Sequence, residues 1–220
     1  MNDTNPKRPH TTAAYPEILF EPVKIGDVVL PNRVLMAPLT RDRAHADGTP
    51  REMAVTYYRQ RASAGLVISE GTSPSPLAKG YIDTPGIYTD AHVAAWKTIT
   101  DAVHASGGRI FVQLWHVGRV SHDSMLPSGE VPVAPSAIPG EITTFAPEGV
   151  VSCTPPAPLS RRKSPISSRN TARQRIGLLK PASTASKSTP RTVTCWISSC
   201  TSTPTNAKTD MEEVLKIGPG

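Results

Sequence analysis

Three short apolar runs limit what this chain can become: RVLMAPL at 33–39, LVISEG at 66–71 and RIFVQLW at 109–115. None shows the strict apolar–polar alternation of a strand with one wet face. Such runs suit strands covered on both sides, as in a parallel sheet. The intervals between them read as helices. Thr49 suits an N-cap, with Pro50 at the first helical position. Met53, Val55, Tyr57 and Tyr58 give that helix its bulk up to about Ala64, and Gly65 ends it. Asp90 opens a second helix, with Val93, Trp96, Ile99 and Val103 at helical spacing and a stop at Ser106-Gly107-Gly108. Ahead of both, VKIGDVVL at 23–30 predicts a hairpin turning at Gly26-Asp27. The order is a hairpin followed by β-α-β-α-β, which places the chain in the α/β class.

An open doubly wound sheet and a TIM barrel both fit that order. The Gly-rich phosphate fingerprint of the doubly wound fold is missing after the first strand, where APLTRDRA stands instead. Polar residues gather at the C-terminal ends of the runs: Thr40, Gly71-Thr72, and Gln113 with Trp115-His116. Barrel enzymes build their active sites there. The reading is therefore the N-terminal portion of a (β/α)8 barrel, about three βα units behind the hairpin.

Charge divides the chain. Residues 1–160 carry 13 basic and 15 acidic side chains, a net −2. Residues 161–220 carry 11 and 3, a net +8, with 9 Ser, 9 Thr, 5 Pro and Trp196 as the single aromatic. Such a tail buries little apolar surface and is expected to be largely disordered. The division expected is a disordered 1–16, a partial barrel over 17–160 and a basic tail over 161–220. A basic tail admits a rival reading, a non-catalytic protein contacting nucleic acid. The tail has no interleaved aromatics for base stacking, which speaks against it, so no nucleic-acid partner is expected. No apolar run is long enough to span a membrane, and none is expected as a partner. Cys153, Cys195 and Cys200 have neither metal-ligand spacing nor an even count for disulfides. No metal and a reduced, cytoplasmic setting are expected.

Three ordered motifs carry a resemblance. NRVLMAPLTR at 32–41, ISEGTSPSPLAKGYIDTPGIYTD at 68–90 and FVQLWHVGRVSH at 111–122 resemble the Old Yellow Enzyme family, nearest to its N-ethylmaleimide reductase-like branch. The likeness runs from about residue 17 to 160. It implies an FMN-dependent oxidoreductase of the ene-reductase type, with NAD(P)H as reductant and an activated alkene or nitro compound as substrate. In the segment Ala37-Pro38-Leu39-Thr40, the resemblance implies that Pro38 and Leu39 pack on the flavin and that Thr40 hydrogen-bonds near its O4. The backbone of Gly71 would meet the isoalloxazine ring, and Gln113 would bond its pyrimidine edge. Tyr81 and Trp115 would line the substrate pocket. Each residue also has a plainer reading: Thr40 as a turn cap, Tyr81 and Trp115 as packing, Tyr57 and Tyr58 as core, His116 and His122 as structural.

The resemblance fails beyond residue 160. The family's His–Asn or His–His clamp, the proton-donating Tyr that follows it and the Arg residues that hold the FMN phosphate have no counterpart. Residues 164–220 contain no His and no Tyr. Oxyanion clamping and proton donation need such side chains, so this truncated chain is expected to be inactive. A second reading frame explains the loss. When the third base of each codon joins the first two of the next, codons for Pro181 to Lys187 can read GFDGVE. The same frame through Trp196 and Thr209 allows VHSANGYLLDQFLH, then RYGGSIENR near Ile217. Upstream, Lys163 to Asn170 allows IADIVEEY. These strings resemble the family's third helix, fourth strand and following loop. A frameshift near Leu159–Arg162 is expected, which makes 161–220 an out-of-frame tail.

Overall fold

The computed structural model describes residues 16–26, 28–158 and the backbone of 195–199. β1 (Val23–Ile25) and β2 (Val28–Leu30) form the expected antiparallel hairpin, with Val23 opposite Leu30 and Ile25 opposite Val28. Gly26 has φ 54°, a left-handed turn conformation that glycine adopts without a Cβ penalty. Asp27, the other expected turn residue, lies outside the described residues.

The three apolar runs become β3 (Leu35–Met36), β4 (Leu66–Thr72) and β5 (Ile110–His116), all parallel. α1 (Met53–Arg59) and α2 (Asp90–Ala105) are the crossovers between them. Four short strands follow: β6 (Val133–Ala134), β7 (Thr143–Ala146), β8 (Gly149–Ser152) and β9 (Ala157–Pro158). They pair as β6 with β9 and β7 with β8. This lobe closes over the loop after β4, where the Ile82 amide donates to the Phe145 carbonyl at 3.1 Å and Ser121 Oγ donates to the Lys79 carbonyl at 2.7 Å. β10 (Cys195–Ser199) lies parallel to β5, with Trp196 opposite Gln113. The main sheet therefore runs β10-β5-β4-β3.

Tyr58 of α1, Val93, Trp96, Ile99 and Val103 of α2, and Val67, Ile110, Val112 and Leu114 of the sheet form one buried cluster. The helical spacing read in 90–105 is this face. Thr89 caps α2 by accepting the His92 amide at 3.1 Å, and Gly107 at φ 80° turns the chain out of it.

Two expectations need correction. The first strand was expected to be buried and to reach Leu39. It pairs over two residues only, and Val34 and Leu35 are exposed, because no described strand lies on its outer side. Pro38, with no amide hydrogen, cannot extend the ladder. The first helix was expected to start at Thr49. Instead the Thr49 amide donates to Asp47 Oδ1 at 2.8 Å and the Thr49 carbonyl accepts the His45 amide, a closed turn that delays the helix to Met53. Beyond Arg59 the bonds shorten to three-residue spacing, Arg61 to Tyr58 and Ala64 to Arg61, so the helix tightens into turns. Within 161–220, the five residues of β10 are the described ones. The rest of 161–220 lies outside the described residues, as do residues 1–15. Among the described residues no helix is long and apolar enough to cross a membrane.

Candidate functional site

The C-terminal ends of β3, β4 and β5 converge, and a register fault in β4 shapes what they present. Val67 pairs with Ile110 and Ile68 with Phe111, but Gly71 then pairs with Gln113 and Thr72 with Leu114. β4 thus carries one extra residue, a bulge at Ser69-Glu70. Bulges interrupt the ladder and re-aim side chains. Here Ser69 Oγ accepts the Gln113 amide at 3.1 Å. The hydroxyls of Ser69 and Thr72 both donate to the Glu70 carbonyl at 2.9 Å. Two consecutive side chains, Ser69 and Glu70, are buried as a result.

Glu70 joins three elements. Its Oε2 accepts the Arg41 backbone amide at 3.0 Å, from the segment that leaves β3. Its Oε1 accepts the Tyr58 hydroxyl of α1 at 3.3 Å, and its own amide donates to Tyr58 Oη at 3.0 Å. Burial pushes the carboxyl up to about 7, although the Arg41 amide, the Tyr58 hydroxyl and the Arg41 charge all pull it down. Tyr58 is held well above its ordinary value, first by burial and then by the Glu70 charge. Sequence reading passed over Glu70. The available signal was a carboxylate inside an apolar strand, a group that is almost never buried without partners.

Gly71 and Gln113 stand directly opposite each other. A Cβ on Gly71 would overlap the Trp115 indole, so the ring lies on the glycine backbone itself. Trp115 stacks on Tyr81, with centroids 5.5 Å apart and planes 19° from parallel. Ala37, Leu39 and Thr40 are exposed and Pro38 is half-buried; this segment reaches the others through the Arg41–Glu70 bond. The expected residues therefore form one cluster of Gly71, Gln113, Tyr81 and Trp115, with Ala37–Thr40 tethered beside it. His116 and His122 serve local structure: His116 Nδ1 accepts the Gly118 amide, and His122 caps a short 3-10 turn. Among the described residues no group of His, Cys, Asp or Glu could hold a metal ion.

Residues 18–155 match the NADH:flavin oxidoreductase / NADH oxidase family. The chain belongs to that family. Among its relatives, 12-oxophytodienoate reductase 1 of Oryza sativa is 47% identical over 130 residues, covering 59% of this chain and 33% of the relative. Flavin oxidoreductase hxnT of Emericella nidulans is 45% identical over 150 residues, 66% of this chain and 38% of that one. Among solved structures, morphinone reductase in complex with tetrahydroNAD is similar with a TM-score of 0.69 and 47% identity, over 73% of this chain and 46% of that one. An old yellow enzyme homologue from Zymomonas mobilis gives a TM-score of 0.72 at 38% identity, over 81% and 47%. The chain spans about a third of the length of these curated relatives. The family fold is the TIM barrel, and β3, β4 and β5 are part of one.

Proposed function

We infer that the chain forms one wall of the flavin site of an FMN-dependent ene-reductase and does not complete the reaction alone. The observation that carries this reading is the opposition of Gly71 and Gln113 at the mouth of a parallel sheet, with Ala37–Thr40 tethered beside them. The residues suit the cofactor chemically. The Thr40 hydroxyl and Gln113 amide match the polar edge of an isoalloxazine, while Pro38, Leu39 and the bare backbone of Gly71 match its faces. FMN held there would supply hydride transfer from NAD(P)H to an activated alkene or nitro compound. Thr40 and Gln113 would hold the ring by hydrogen bonds, and the Tyr81–Trp115 stack would border the substrate.

The clamp and the proton donor come from outside this chain's reading frame. Residues 17–160 are the partial barrel, and 161–220 are translated out of frame. The family match ends at residue 155, just ahead of the junction at Leu159–Arg162. The substrate is a small molecule, and the protein works in the cytoplasm.

The test restores the frame by inserting a single base between codons 155 and 162. The repaired protein purifies yellow and oxidises NADPH with cyclohexenone as acceptor. The unrepaired chain purifies colourless and turns over no faster than free flavin. A colourless repaired protein, or a yellow and active unrepaired one, sinks the reading.

A further inference from the structure

The segment that follows β3 has few ties. Among the described residues, the Arg41 amide on Glu70 Oε2 is the one hydrogen bond joining the backbone of 38–43 to another element. Thr40 is one residue from that bond, and Gly71 is one residue from Glu70. We propose that the Glu70 carboxylate is a positioning latch: in its ionised form it holds the Thr40 segment against β4, and in its neutral form it releases it. The consequence for cofactor binding rests on the flavin reading above; the latch itself rests on geometry alone.

The groups around the carboxyl make it responsive. Arg41 and Asp42 face it from the loop after β3, and Tyr58 faces it from α1. Tyr57 stands edge-on behind Tyr58 at 5.0 Å, and the Arg41 and Arg61 guanidiniums lie on the Tyr57 ring at 4.0 and 3.9 Å. The charged groups acting on Glu70 are Arg41 and Asp42; on the β5 side, the Gln113 backbone amide donates to Ser69 Oγ. Burial outweighs the attractive groups and brings the carboxyl to about 7. An ionised oxygen accepts an amide proton more strongly than a neutral one. The bond to Arg41 therefore tightens as pH rises through neutrality.

Hydrogen–deuterium exchange of the 220-residue chain tests this without any cofactor. After correction for intrinsic rates, the peptide spanning 37–43 exchanges about tenfold more slowly at about pH 8 than at about pH 6. Glu70→Gln exchanges quickly at both. Tyr58→Phe leaves the Arg41 acceptor in place, so its step persists with a displaced midpoint. A wild-type profile without a step overturns the latch, and so does a Glu70→Gln profile that keeps it. Should Glu70→Gln lose protection in β4 as well, the Tyr58→Phe profile decides: an undisplaced midpoint overturns the latch. A final arm repeats the profile on the frame-restored protein with and without FMN. Extra protection of 37–43 at the higher pH only supports the link to the cofactor. A pH step that FMN leaves unchanged preserves the latch and overturns the flavin reading.

Discussion

At position 71 a single methyl group is too much. The Trp115 indole occupies the space a Cβ would need, and Trp115 in turn carries the Tyr81 ring. Gly71→Ala displaces the indole and breaks the stack, at a cost of about 1–3 kcal/mol for overpacking. A shifted tryptophan emission spectrum together with a lower urea midpoint would register it; an unchanged spectrum would refute it. Glu70 governs the response to acid. Its carboxyl lies higher in the folded chain, about 7, than its ordinary 4.5, so the folded state holds the extra proton between those values. Stability from this group is therefore full below about pH 4.5, falls as pH rises to about 7 and is level above it. At ~1.4 kcal/mol per pH unit the loss is on the order of 3 kcal/mol. Urea unfolding of wild type and Glu70→Gln across that range checks it: the variant lacks this slope.

The elements differ in how firmly they are held. α2 has a side-chain cap at Thr89, a long apolar face and a glycine exit at Gly107. Thr89→Ala removes the acceptor of the His92 amide and should cost about 1 kcal/mol, read as a lower thermal midpoint. α1 has no side-chain cap and only seven residues, and Tyr58 holds it by burial and by its two bonds with Glu70. β4 is central, paired on both sides, and its bulge is stitched by Ser69 and Thr72. β3 is the weak element, a two-residue edge.

For the whole molecule, the edges of the sheet matter most. β10 covers the outer side of β5, while β3 has no described partner on its outer side. Val34, Leu35 and Leu39 are exposed along that margin. An uncovered apolar edge invites pairing between chains. The purified chain should therefore self-associate, with a weight-average mass in sedimentation that climbs with concentration. Leu35→Lys should reduce that rise, because an edge charge disfavours pairing. A monomer at all concentrations would contradict the prediction.

The order of elements, the parallel sheet and the face of α2 are legible in the chain, because apolar runs and helical spacing are local patterns that burial alone can satisfy. Three motifs with their spacing were enough to indicate the family. The rest depended on contacts between segments distant in the chain. Thr49 went to a turn rather than a cap because His45 and Asp47 reach it across a loop. β3 ended at Met36, although β4 runs on to Thr72, because Pro38 has no amide hydrogen to extend the ladder. Glu70 was hidden because its role depends on a bulge, and a bulge is a mismatch between two strands distant in sequence. Its partners, Tyr58 and the Arg41 amide, lie 12 and 29 residues away and meet it only once the helix and the sheet have packed.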